Sequence, residues 1–131
     1  LARKKNIPIY LPVLDTENFG HLNFHLWATN TDFVANKFGI PEPVETEKIE
    51  ARLLHTVLVP LVGFDDQGGR LGMGGGFYDR TIQSWEKIGR RPICIGIGFE
   101  CSQVPSSKWI PLEHDHPLDG LLTESNHQLT P

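Results

Sequence analysis

The order of elements between Thr56 and Ile97 constrains this chain more than any other feature. "TVLVPLVGF", residues 56–64, is a continuous apolar run rich in Val and Leu, the composition of a strand buried on both faces. "RPICIGIGFE", 91–100, reads as a second buried strand. Between them "FYDRTIQSWEKI", 77–88, sets Phe77, Ile82, Trp85 and Ile88 at near-helical spacing. Strand, loop, helix, strand is a βαβ unit, the connection that parallel strands require. An α/β domain with a mainly parallel central sheet follows.

The loop inside that unit is the second constraint. "RLGMGGGFYDR", 70–80, holds four glycines in five positions, then two aromatics and an Asp-Arg pair. A loop that only turns manages with fewer. Bare backbone between a buried strand and a helix lets N–H groups converge on an anion, helped by the positive end of the helix dipole. Arg70 and Arg80 flank the loop and are placed to supply formal charge. The competing reading is a tight turn in which glycine only relieves strain. Two familiar fingerprints fail. No Lys-Ser/Thr pair follows the glycines, as a P-loop requires, and Phe77 stands where a dinucleotide fingerprint would place its last glycine. Asp79 suits either a magnesium ion beside phosphates or a first-turn carboxylate favouring the dipole.

The first half is less regular. "IPIYLPVL", 7–14, reads as a strand whose two prolines suggest an edge or a bulge. "HLNFHLWA", 21–28, alternates with Leu22, Phe24, Leu26 and Ala28 on one face, the period of a half-buried strand. Residues 15–20 then form a hairpin loop, and His21 and His25 face solvent. Thr31 or Asp32 is placed to cap a short helix, "FVANKF", that Gly39 ends. "IPEP" follows as an extended segment, and "TEKIEARLL" is helix-competent. A turn-rich stretch, 101–117, leads to a last short strand, "LDGLLT".

At 131 residues the chain suits a single domain, 1–131. Its net charge of −4, with no long run of either sign, argues against a general nucleic-acid binder but leaves room for a local basic pocket. Cys94 and Cys101 are too few for a disulfide framework, and Cys94 lies in an apolar run where a small buried hydrophobe is expected. No stretch reaches the roughly 18 apolar residues of a membrane span, and no charged-then-apolar leader opens the chain. A reducing, cytoplasmic setting with no membrane partner is expected. "LARKKNIPIYLPVL" reads as a helix end feeding a strand, so the chain is expected to be the C-terminal part of something longer. His114 and His116 invite a zinc reading, but neither cysteine offers the remaining ligands. Trp85 is expected in the core, while Trp27 and Trp109 are open to packing or to stacking on a ligand ring.

"PLVGFDDQGGRLGMGGGFYDR", 60–80, resembles the signature of the 5-formyltetrahydrofolate cyclo-ligase (5,10-methenyltetrahydrofolate synthetase) family, and "HDHPLDGLLTE", 114–124, is similar to its C-terminal Asp-bearing segment. The resemblance implies a three-layer α/β/α fold of the NagB/RpiA/CoA-transferase group, here without the family's N-terminal region. It implies ATP- and magnesium-dependent cyclisation of 5-formyltetrahydrofolate to 5,10-methenyltetrahydrofolate, with small-molecule substrates as partners. By the same resemblance Arg70, Leu71, Gly72, Met73, Gly74, Gly75, Gly76, Phe77 and Tyr78 form the ATP loop, with Arg70 and Tyr78 assigned to catalysis. Asp79 and Asp115 match the magnesium-linked carboxylates. The family often carries basic residues where this chain has Met73 and Gly75. The rival readings are a non-catalytic nucleotide-binding homologue and a sugar-phosphate isomerase of the same fold group.

Overall fold

The computed structural model describes residues 3–64, 70–71, 75–103, 118–125 and 127–129. Gly72, Met73, Gly74, Trp109, His114, Asp115 and His116 lie outside the described residues.

The βαβ unit is present. β6 (Thr56–Pro60), α1 (Phe77–Lys87) and β9 (Ile93–Ile97) follow in that order, and β6 pairs parallel to β9 with Val57 opposite Cys94 and Val59 opposite Gly96. β10 (Gly120–Leu122) adds to the other side of β9, also parallel, and β11 (His127–Leu129) closes that side antiparallel. The sheet of order β11-β10-β9-β6 is therefore mainly parallel.

One face of this sheet carries Val57, Val59 and Cys94, all buried. Ile82 and Trp85 of α1 pack on it, joined by Leu118 and by Phe24 from the first half. The Phe24 and Trp85 rings lie 5.9 Å apart and tilted at 42°. Trp85 is thus a core residue, and truncating a buried aromatic of this kind costs about 3–5 kcal/mol. Ile88, at the helix C-cap, is exposed instead. The opposite face differs from the two-sided burial that the sequence suggests. β6 alternates, with Leu58 55% exposed between buried neighbours, and Ile93, Ile97 and Leu122 are exposed with it. A Val- and Leu-rich run shows that both faces are apolar without showing that both are covered.

In the first half, β1 (Tyr10–Leu14) and β2 (Leu22–Leu26) form the expected hairpin, with Leu14 opposite Leu22. β1 ends the sheet of order β1-β2-β5, the edge position that tolerates proline. β5 (Lys48–Ile49) and a 3-10 turn, Ala51–Leu53, replace the helix that "TEKIEARLL" permits. The helix expected over 33–38 is also absent. β3 (Asp32–Ala35) pairs antiparallel with β4 (Pro41–Val44). The reason is local. The Asn36 side-chain oxygen accepts the N–H groups of Phe38 at 2.8 Å and Ile40 at 3.2 Å, a side-chain-stabilised turn that competes with helix. Among the described residues, no helix is long and apolar enough to cross a membrane.

Candidate functional site

After β6 the chain forms a short ribbon before the helix. β7 (Gly63–Phe64) pairs antiparallel with β8 (Arg70–Leu71), setting Phe64 opposite Arg70. Phe64 is buried and bridges Gln103, which roots the ribbon. Arg70 and Leu71 are thereby placed at the entrance of the glycine loop, and Gly75, Gly76, Phe77, Tyr78 and Asp79 at its exit, on the first turn of α1.

Gly76 is the helix N-cap at φ +70°, a left-handed conformation that an L side chain enters only with strain. Gly76 brings no side chain to cap α1, and the amide end of the helix follows directly on the loop in the chain. Asp79 lies in that first turn. Among the described residues no three His, Cys, Asp or Glu side chains gather as a metal cluster. Magnesium needs no such cage, since one or two carboxylates with phosphates and waters complete its octahedron. Asp79 at the loop exit fits that donor set.

Two long-range contacts join the loop to the first half of the chain. Arg80 donates from Nε to the Gly20 carbonyl at 3.0 Å and from Nη2 to the Gly75 carbonyl. Its Cζ also lies 5.5 Å from the Phe77 ring centroid. Phe77 also meets Phe38 edge-to-face, with centroids 5.9 Å apart at 79°. Phe38 sits at the tip of the β3–β4 hairpin, and Glu42 ties that hairpin to β1. One Glu42 carboxylate oxygen accepts the Leu14 N–H at 2.7 Å and the Asn36 side-chain amide at 3.0 Å. Lys37 places its ammonium 5.0 Å from the Phe19 ring and 5.2 Å from the Phe38 ring. Phe19 and Phe38 are both exposed. An open aromatic surface carrying a cation thus lies beside Phe77 at the start of α1.

Residues 1–124 match the pattern of the 5-formyltetrahydrofolate cyclo-ligase family. The chain belongs to this family. It is 40% identical over 121 residues to the 5-formyltetrahydrofolate cyclo-ligase of Haemophilus influenzae, covering 90% of this chain and 62% of the relative. It is 38% identical over 124 residues to that of Escherichia coli K12, covering 89% and 63%. The fold is similar to that of the 5,10-methenyltetrahydrofolate synthetase of Aquifex aeolicus, with a TM-score of 0.72 and 28% identity over 96% of this chain and 60% of the other. The chain therefore spans a little over three-fifths of the curated relatives' length.

In this cyclo-ligase family chain the β3–β4 hairpin stands where the sequence suggests a short helix, and it brings Phe38 to Phe77. Treating "FVANKF" as a helix hid Lys37 and Phe38 from the site. A signal was available: Asn36 and Gly39 flank a turn between a Phe-Val pair and the extended "IPEP". His25, expected on a solvent face, is half-buried, with Nδ1 3.2 Å from the Thr46 carbonyl.

Proposed function

We propose that the protein works as a 5-formyltetrahydrofolate cyclo-ligase in the cytoplasm, using ATP and magnesium and releasing ADP and phosphate. Family membership together with the glycine-to-helix junction at Gly75–Asp79 carries this reading. In the reaction the formyl oxygen attacks the γ-phosphate, and the second folate nitrogen then closes the ring as phosphate leaves. The substrate supplies the nucleophile, so the protein's task is alignment and charge neutralisation. The loop from Arg70 to Tyr78 is assigned to ATP, with Arg70 and Tyr78 closest to the chemistry. Asp79 and Asp115 are the residues that would hold magnesium, which would supply neutralising charge to the phosphates. The exposed Phe38 ring beside Phe77 offers a stacking face for the pterin next to the phosphates.

The finer fold assignment belongs to the same reading. A three-layer α/β/α arrangement of the NagB/RpiA/CoA-transferase group would cover the apolar sheet face of Leu58, Ile93, Ile97 and Leu122 with a second helical layer. The experiment for the activity is direct: incubate the natural gene product with 5-formyltetrahydrofolate, ATP and magnesium and follow the absorbance of the methenyl product. ATP-dependent product formation is expected. Nucleotide binding without product would leave a non-catalytic homologue.

A further inference from the structure

Arg80 turns its guanidinium back from the first turn of α1 across bare backbone. Nε is bonded to the Gly20 carbonyl in the β1–β2 loop, 60 positions earlier in the chain, and Nη2 to the Gly75 carbonyl. The Phe77 ring lies alongside. The slot admits little else. A Cβ added to Gly20 would fall on Nε, and one added to Gly76 would stand 2.9 Å from Nη1. Both glycines have positive φ, +83° and +70°. Glycine at both positions is set by this backbone conformation, and the guanidinium fills the space beside it.

The bond to Gly75 has a consequence for the neighbouring amide. In a trans peptide the carbonyl of one residue and the N–H of the next lie in one plane and point opposite ways. Holding the Gly75 oxygen on Arg80 fixes the direction in which the Gly76 N–H points. A Gly–Gly peptide is otherwise easily reoriented, because glycine reaches both signs of φ. Amides that receive phosphate must converge, so one reversed peptide would present a carbonyl oxygen to an anion.

We propose that Arg80 is a positioning residue for nucleotide binding: it ties the Gly75–Gly76 exit of the glycine loop to the β1–β2 loop and holds the Gly76 amide in its receiving orientation. The proposal rests on the reading of the glycine loop as the nucleotide site. Lysine cannot replace it, since a single ammonium lacks the planar fork that reaches two carbonyls in different directions.

The test uses the natural full-length protein with R80A and R80K, read by calorimetric titration with Mg-ATP and by amide exchange without nucleotide. Both variants are expected to lose affinity by about tenfold or more, the scale of a lost charge-assisted hydrogen bond. The KM for ATP should rise while that for the folate stays near wild type. Ethylguanidinium, but not ethylammonium, should restore affinity to R80A. Wild-type affinity in R80K would overturn the clamp in favour of simple charge, and wild-type affinity in R80A would overturn it altogether. Should R80A fail to fold, R80K carries the comparison. If the wild type itself binds no Mg-ATP, the nucleotide reading fails, and exchange decides the clamp separately. Faster exchange at Gly76–Tyr78 and at Phe19–Gly20 in the variants supports it; unchanged exchange overturns it.

Discussion

The Leu22 N–H donates to the Thr81 hydroxyl oxygen at 2.9 Å, across 59 positions of sequence. The same hydroxyl donates to the Phe77 carbonyl at 2.6 Å, and Thr81 is only 2% exposed. One small side chain thus pins the start of β2 to the helix that follows the glycine loop. Thr81→Val keeps the shape but leaves the Leu22 N–H without this acceptor where water has little access. A loss of about 1–3 kcal/mol in urea unfolding is expected, with Thr81→Ser retaining most of the stability. Equal midpoints for wild type and T81V would show that the bond contributes nothing net.

A second junction holds the far side of the βαβ unit. Asp119 Oδ2 accepts the Cys94 N–H at 2.8 Å and Arg91 Nη1 at 2.7 Å, and the Asp119 N–H returns a bond to the Cys94 carbonyl at 2.8 Å. The ion pair is partly solvated, with side chains 22% and 41% exposed, which limits it to under about 1 kcal/mol. The backbone acceptor at fully buried Cys94 should weigh more, about 1–3 kcal/mol. Asp119→Ala is therefore expected to destabilise more than Arg91→Ala in denaturant unfolding. The reverse order would place the energy in the ion pairs of Arg91 with Asp119 and Glu86.

Asp15 governs the loop that Arg80 grasps. Burial pushes its carboxyl pKa up, but the Asn18 side chain, the N–H groups of Glu17 and Asn18 and the charge of Lys48 outweigh this and hold it below the usual aspartate value. A depressed pKa stabilises the fold fully above the unfolded value of about 3.9 and loses that contribution as pH falls through the folded value. Asp15→Asn should therefore be less stable than wild type at neutral pH, and the gap should narrow below about pH 4. Urea midpoints at a series of pH values check this. A gap that stays constant into acid would mean that the charge of Asp15 is not what the loop uses.

Legibility from sequence followed the range of the interactions. The βαβ unit repeats a local period, so residues 56–97 show it without help from distant parts of the chain. The first-turn Asp79 belongs to the same contiguous motif and is legible in the same way, whereas the left-handed Gly76 is seen only in the structure. Sequence shows Arg80 only as a flanking charge, because its Gly20 partner lies 60 residues away in a loop that no periodicity links to it. Phe38 was hidden for a different reason. A six-residue window around Asn36 suits a helix or a turn about equally, and the Glu42 contacts that settle it come from the returning strand.

The last prediction is that Asp79 and Asp115 act through one magnesium ion. Asp79 stands at the exit of the glycine loop, and Asp115 lies outside the described residues, before the segment that leads into β10. β6, β9 and β10 run parallel; the glycine loop follows the carboxyl end of β6, the side on which ligands bind in such sheets, and the pairing with Asp115 rests on the family resemblance. The two carboxylates would hold a magnesium ion that would supply neutralising charge during phosphoryl transfer. Aspartate to asparagine keeps the shape and removes a charge, so metal affinity should fall first. In the full-length protein each single variant should lose most activity and regain part of it with excess magnesium. The double variant should lose less than the product of the single losses, since residues that act as a unit are not additive. Steady-state kinetics over a magnesium series is the measurement. Multiplicative losses with an unchanged magnesium dependence would mean that the two carboxylates do not share a metal, leaving Asp79 as a helix first-turn charge and Asp115 as a turn residue.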